Sequence, residues 1–103
     1  MAAVQPAIAR GLVREVEVYL AGLALWALER VQAGTLAPDA ADRLFTHFDL
    51  ATDRLELSDD AGDLLLECHS FHHWGGEHST DPAKVHELAE RILARASGAP
   101  TAG

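Results

Sequence analysis

This sequence is poor in aromatic residues, cysteine and basic residues. Aromatic residues make up 6% of its 103 residues, and it has one cysteine and only eight basic residues against sixteen acidic ones. A single cysteine excludes an intrachain disulfide framework and is typical of a reducing cytoplasm. The formal net charge of −8 argues against binding to nucleic acid or to an anionic membrane, since both require a basic surface.

The sequence also has no long hydrophobic run and no motif that names a reaction. Its longest uncharged stretch, Val18 to Leu28, is shorter than the roughly 20 residues that span a bilayer. The first residues lack the basic start and apolar run of a signal peptide. Phosphate loops, dinucleotide fingerprints, nucleophile elbows and EF-hand loops are missing as well. We therefore expect a cytoplasmic protein that is not an enzyme.

What the sequence does have is helix-forming residues with helical periodicity. Hydrophobic residues make up 49% of the chain, mostly leucine, alanine and valine. Apolar stripes predict four helices with short connections, starting near Ile8, Pro38, Asp59 and Pro82. This pattern predicts an all-α fold, a four-helix antiparallel bundle in one domain over residues 1–96, followed by a disordered tail over residues 97–103.

The first predicted helix, residues 8–33, is apolar on every side between Val18 and Leu28. Such a helix is normally buried by several neighbours at once, so we expect it to be the long, buried centre of the bundle. Gly22 either leaves room for a close helix crossing or breaks the helix. The residues expected in the core are Leu23, Trp26, Leu64, Phe71, Leu88 and Ile92.

Punctuation residues set the predicted ends of the helices. Gly34 is a natural stop in the left-handed conformation, and Ser58 and Asp81 are N-caps. The third helix is expected to run from Asp59 to about Trp74, where two glycines follow. Residues 49–57 alternate apolar and charged side chains, which is consistent with either a short strand or an irregular loop.

A cluster of potential metal ligands lies between residues 67 and 78. It contains four of the six histidines and the only cysteine. On a continuous helix His69 and His73 would lie one above the other, and His78 or Glu77 could supply a third ligand for Zn²⁺ or Ni²⁺. The alternative is that the histidines are solvated and Cys68 is a small buried hydrophobe. The pattern matches no common zinc spacing, so both interpretations stay open.

Acidic residues dominate the chain between residues 49 and 67. There are seven of them, and Arg54 is the only basic residue among them. A run of this kind is usually just a solvated face, but it also suits the docking of a basic protein partner. Leu66 lies off the main apolar face of its helix and would add an apolar contact. The expected partner-binding residues are Asp53, Glu56, Asp59, Asp60, Asp63, Glu67 and Trp74.

Two segments carry a resemblance to a known family. Residues 28–45, LERVQAGTLAPDAADRLF, resemble the helix, glycine-containing turn and second helix of small colicin D-type immunity proteins. The Leu57-Ser58-Asp59-Asp60 start, Phe71 and the helix over residues 85–93 are similar to their last two helices. The histidine-rich segment departs from that family.

The resemblance implies stoichiometric inhibition of a tRNA-cleaving toxin through an acidic surface. Our leading hypothesis is therefore a protein-binding module of immunity or antitoxin type that docks a basic partner, such as a nuclease-type toxin, and needs no cofactor. The alternative hypothesis is a metal-binding or pH-responsive module that uses His69, His73 and His78. The sequence leaves the oligomeric state open.

Overall fold

The fold consists of four α-helices and one 3₁₀ turn. A computed structural model describes residues 5–96 of the chain, and the side chains of residues 11–96. No strand occurs within residues 5–96, so the predicted all-α class is confirmed there. The tail predicted over residues 97–103 lies outside the described residues. The helices are α1 (Gln5–Ala33), α2 (Pro38–Ala51), α3 (Asp59–Cys68) and α4 (Pro82–Ala96), and the 3₁₀ turn is Phe71–His73.

Three of the predicted helix boundaries are confirmed. Gly34 follows α1 with φ +77°, a backbone conformation that residues other than glycine rarely adopt. The Ser58 hydroxyl accepts a hydrogen bond from Ala61 N–H at 3.3 Å and caps α3. The Asp81 carboxylate accepts one from Ala83 N–H at 3.0 Å in the first turn of α4. Interactions within a few residues of the chain therefore set these three ends.

The predicted length of the third helix was wrong, because α3 ends at Cys68 instead of near Trp74. In a longer α-helix, the carbonyl of Glu67 would accept a bond from Phe71 N–H. That carbonyl instead accepts bonds from Ser70 N–H at 3.1 Å and from the Thr80 hydroxyl at 3.0 Å. Thr80 is buried, so the chain folds back over the end of α3 and tightens it into a 3₁₀ turn.

The core forms where α1, α3 and α4 meet, and α2 packs mainly over the 3₁₀ turn. Four of the six expected core residues are buried: Leu64, Phe71, Leu88 and Ile92. Phe71 links two parts of the core, since its ring stacks on Phe45 of α2 with 5.8 Å between ring centroids. Helix α2 therefore attaches to the rest of the protein largely through aromatic contacts at the end of α3.

The expectation that α1 is buried on every side was wrong. Trp26 is 46% exposed and Tyr19 is 64% exposed, while Leu23 is only half-buried. The remaining described helices cover one face of α1 and leave a second apolar stripe open. Gly22 does not mark a helix crossing among the described residues, because a Cβ at that position would meet no atom within 4 Å. The helix also runs through Gly22 without a break.

The segment between α2 and α3 is an irregular loop, which settles the choice left open by its alternating pattern. Thr52 begins it, and its hydroxyl donates to the Phe48 carbonyl at 2.9 Å. Leu55 N–H donates to the Thr52 carbonyl at 2.9 Å and closes a turn. Among the described helices, none combines the length and hydropathy needed to cross a membrane.

Candidate partner-binding surface

A shallow groove lies between the end of α2, the following loop and α3. Its volume is about 300 Å³, and its walls include Asp49, Asp53, Leu66 and His69. Leu66 is 69% exposed, as expected from its position off the apolar face of α3. The groove therefore combines two carboxylates with a large exposed aliphatic side chain.

Two further carboxylates continue this surface along α3. Asp59 and Asp63 are both exposed. Residues 59, 63 and 66 follow helical spacing of four and three, which places their side chains on one face. We call the set Asp53, Asp59, Asp63 and Leu66 the acidic face. None of its three carboxylates lies within 4 Å of a basic side chain among the described residues.

Asp60 and Glu67, also expected on this surface, are used inside the fold. The Asp60 side chain is only 16% exposed and forms ion pairs with Arg91 and Arg95, which join α3 to α4. Glu67 is half-buried, and its carboxylate accepts a bond from Asp81 N–H at 2.7 Å. These two carboxylates hold secondary-structure elements together, so they have less freedom to meet a partner.

The structure places Glu56 and Trp74 away from the acidic face. Glu56 lines a different cleft of about 600 Å³ beside the first half of α1 and the end of α4, together with Arg14, Arg54 and Arg95. Trp74 is half-buried and packs on Phe71, with 6.0 Å between ring centroids. Its indole is thus an extension of the core more than an exposed anchor.

The three histidines of the predicted metal site lie in three different kinds of local structure. His69 follows the last residue of α3, His73 ends the 3₁₀ turn, and His78 is exposed in the loop before α4. Because α3 stops at Cys68, the two imidazoles are not stacked by α-helical spacing. Among residues 5–96, no three or more histidine, cysteine or acidic side chains are arranged to share a metal ion.

Two histidines instead face carboxylates of α2. His69 Nε2 lies 3.6 Å from Asp49 Oδ2, and His72 Nδ1 lies 3.3 Å from Asp42 Oδ1. Each contact is an ion pair only when the imidazole is protonated. Asp42 Oδ1 is enclosed and accepts no hydrogen bond from any described residue, and the His72 imidazole lies beside it. The pairs tie α2 to the end of α3.

Sequence reasoning missed this arrangement, although its spacing was visible. Asp42 and Asp49 are seven residues apart on α2 and so share a face, and His69 and His72 are three apart. The signal was hidden because no sequence rule says which helix faces the histidines.

Cys68 is buried and carries no exposed thiol. Burial raises the pKa of the Cys68 thiol far above its ordinary value, and the negative charge of Glu67 raises it further. A thiol that stays protonated in the core is a poor nucleophile and a poor metal ligand. The expectation that Cys68 packs as a small hydrophobe is consistent with this position.

Comparison with known proteins finds no relative of this chain. No family model, no curated protein and no solved structure matches the chain. Interpretation of the acidic face therefore depends on the geometry and charges of the residues themselves.

Proposed function

We propose that this protein is a binding module of immunity or antitoxin type that docks a basic protein partner on its acidic face. The resemblance to colicin D-type immunity proteins suggests a nuclease-type toxin as that partner. The observation that carries the proposal is the combination of three carboxylates without described basic neighbours and an exposed leucine on one surface. Charge of this kind attracts a basic protein, and the leucine provides apolar area to bury.

The acidic face differs from three carboxylates of α2 and α3 that have partners inside the fold. Asp60 has two arginine partners, and Asp42 and Asp49 each face a histidine. Asp53, Asp59 and Asp63 have no such compensation among the described residues. Like charges held close together without counter-charges destabilise an isolated protein slightly, and a cationic partner relieves that repulsion. A basic partner would therefore gain attraction that a neutral one would not.

We place this function in the cytoplasm, on a framework of four helices that we propose to be an antiparallel bundle. The lone buried cysteine suits a reducing compartment because it has no disulfide partner in the chain.

The first prediction tests the acidic face by neutralising charge. We expect Asp59→Asn with Asp63→Asn to slow association with a basic partner by about tenfold at low salt and to flatten its salt dependence. The matched control is Glu77→Gln with Glu90→Gln, which removes the same charge from exposed positions outside the acidic face. Surface plasmon resonance at several salt concentrations measures both, using the basic protein that co-purifies with the wild type.

Three results would count against the proposal. One is a wild-type affinity purification from the native host that recovers no basic protein. Another is equal loss of binding in the two double variants, which would reflect net charge and not the acidic face. If the partner is a nuclease, its cleavage of tRNA should stop at a one-to-one ratio with this protein, and inhibition that needs a large excess would contradict an immunity role.

A further inference from the structure

The second apolar stripe of α1 lies open along one side of the molecule. Its members follow alternating steps of four and three residues, the seven-residue repeat by which helices pair in coiled coils. Three of them are more than 45% exposed: Leu12 at 47%, Tyr19 at 64% and Trp26 at 46%. We call this stripe the α1 seam, and its members are Leu12, Val16, Tyr19, Leu23 and Trp26.

The α1 seam is distinct from the face that α1 buries in its own chain. Leu20, Ala24, Leu28 and Val31 form that buried face. On an ideal helix the average directions of the two stripes differ by roughly 100°. Packing in the core accounts for Leu23, which is half-buried against it, but leaves Leu12, Tyr19 and Trp26 largely exposed.

Helix α2 widens the open surface on one side of the seam. The Tyr19 ring lies parallel to the Phe48 ring, with 6.2 Å between centroids and 2° between planes. Leu44, one turn before Phe48 on the same face of α2, is 38% exposed. Exposed aromatic and leucine side chains of this number present on the order of 400 Å² of apolar surface, a patch size that is often functional in monomeric proteins.

We propose that the occupant of the α1 seam is a second copy of this chain, with the two α1 helices antiparallel. Residues 18–28 carry no charge, so a basic partner would find no attraction there. The whole chain has a formal net charge of −8, so two copies repel each other on average. The uncharged seam is the face on which two copies approach at least electrostatic cost.

The positions along the seam are complementary to themselves under a two-fold axis. If the axis passes near Gly22 and Leu23, residues whose numbers sum to about 45 face each other. Tyr19 of one copy then lies beside Trp26 of the other. Gly22 is exposed at the middle of the helix, on the flank of the seam, where it adds no side chain beside the contact.

The charges at the two ends of the seam match in the same arrangement. Glu15 and Arg30 are exposed and fifteen residues apart on α1, and antiparallel pairing places each beside the opposite charge of the other copy. Arg30 already lies over the Trp26 ring, 5.9 Å from its centroid, and therefore next to the seam. A parallel pair would leave these charges at opposite ends of the interface.

The buried area sets the expected strength of this dimer. The seam and Leu44 of both copies together remove roughly 800 Å² of apolar surface, and the half-buried neighbours bring the total towards the ~1,200 Å² at which specific interfaces begin. We therefore expect a dissociation constant on the order of micromolar. Sedimentation velocity over a range of about 1 to 200 µM measures it.

Tyr19→Glu with Trp26→Glu should leave the protein folded and monomeric, because both side chains are exposed in a single copy. The matched control is Leu50→Glu with Leu66→Glu, which adds the same charges at residues that are 70% and 69% exposed outside the seam. Circular dichroism confirms the fold of each variant. A wild-type protein that stays monomeric up to about 200 µM overturns the proposal, as does a control that dissociates as far as the seam variant.

Charge exchange tests the antiparallel direction. Glu15→Arg alone and Arg30→Glu alone should each weaken the dimer by about tenfold, because each places like charges together at both ends. The variant with both changes restores opposite charges and should recover most of the affinity. Equal weakening by the single and double variants would overturn the antiparallel arrangement.

Discussion

At the scale of single residues, position on a helix separates side chains of the same type. Leu64 and Leu66 are two positions apart on α3, yet Leu64 is fully buried and Leu66 is 69% exposed. We expect Leu64→Ala to lower the free energy of unfolding by about 2–5 kcal/mol, because it leaves a cavity. Leu66→Ala should change it by less than about 0.5 kcal/mol. Urea denaturation of the two variants measures the difference, and equal losses would contradict the assignment of the two faces of α3.

Cys68 provides a second test at the residue scale, through its titration. Burial and the charge of Glu67 raise the pKa of the folded thiol, whereas the unfolded thiol titrates near its ordinary value of about 8.5. The folded protein therefore keeps a proton that the unfolded chain releases above that pH. This contribution to stability is complete at lower pH and is lost as pH rises past about 8.5.

The measurement for Cys68 is its reaction with a thiol reagent at about pH 8. We expect the native protein to react slowly and the urea-unfolded protein at once. A Cys68→Ala protein that also carries Glu77→Cys, at an exposed position, serves as a fast-reacting control. Rapid reaction of native Cys68 would show that the thiol is accessible.

At the scale of the elements, a long-range hydrogen bond positions the start of α3. The Glu17 carboxylate of α1 accepts a bond from Ser58 N–H at 2.6 Å, across 41 residues of sequence. A negative charge at the N-terminus of a helix is also favourable for its dipole. We expect Glu17→Gln to cost about 1 kcal/mol of folding free energy, since the amide oxygen can still accept the bond but without the charge that strengthens it.

Glu90→Gln is the control for that variant. Glu90 is exposed on α4, and its substitution removes the same charge. Thermal unfolding of both proteins measures the effect. If the two variants unfold at the same temperature, the Glu17 contact has no energetic role in holding α3 to α1.

At the scale of the whole molecule, self-association through the α1 seam links stability to concentration. A dimer of folded chains draws the folding equilibrium towards the native state by mass action. We expect the Tm of the wild type to rise by several degrees between about 5 and 200 µM, in line with a gain of 1–2 kcal/mol. Calorimetry of Tyr19→Glu with Trp26→Glu should show a Tm that does not depend on concentration. The opposite pattern would place the association elsewhere.

Much of the local structure follows from the sequence alone. The four helices, the Gly34 stop and the Ser58 and Asp81 caps depend on interactions within a few residues, and those are encoded by spacing. The acidic character of residues 53–63 and the exposure of Leu66 also follow from composition and helical period. None of these features requires knowledge of which helices meet.

The tertiary structure decided what depends on distant parts of the chain. The hydrogen bond from Thr80 ends α3 at Cys68, and two arginines of α4 form ion pairs with Asp60. Packing of α2 also places carboxylates beside His69 and His72. The tertiary structure also left the apolar seam of α1 open, where the sequence pattern predicted burial. The periodicity of a sequence shows that a helix has apolar faces, but only the packed structure shows which of them the same chain covers.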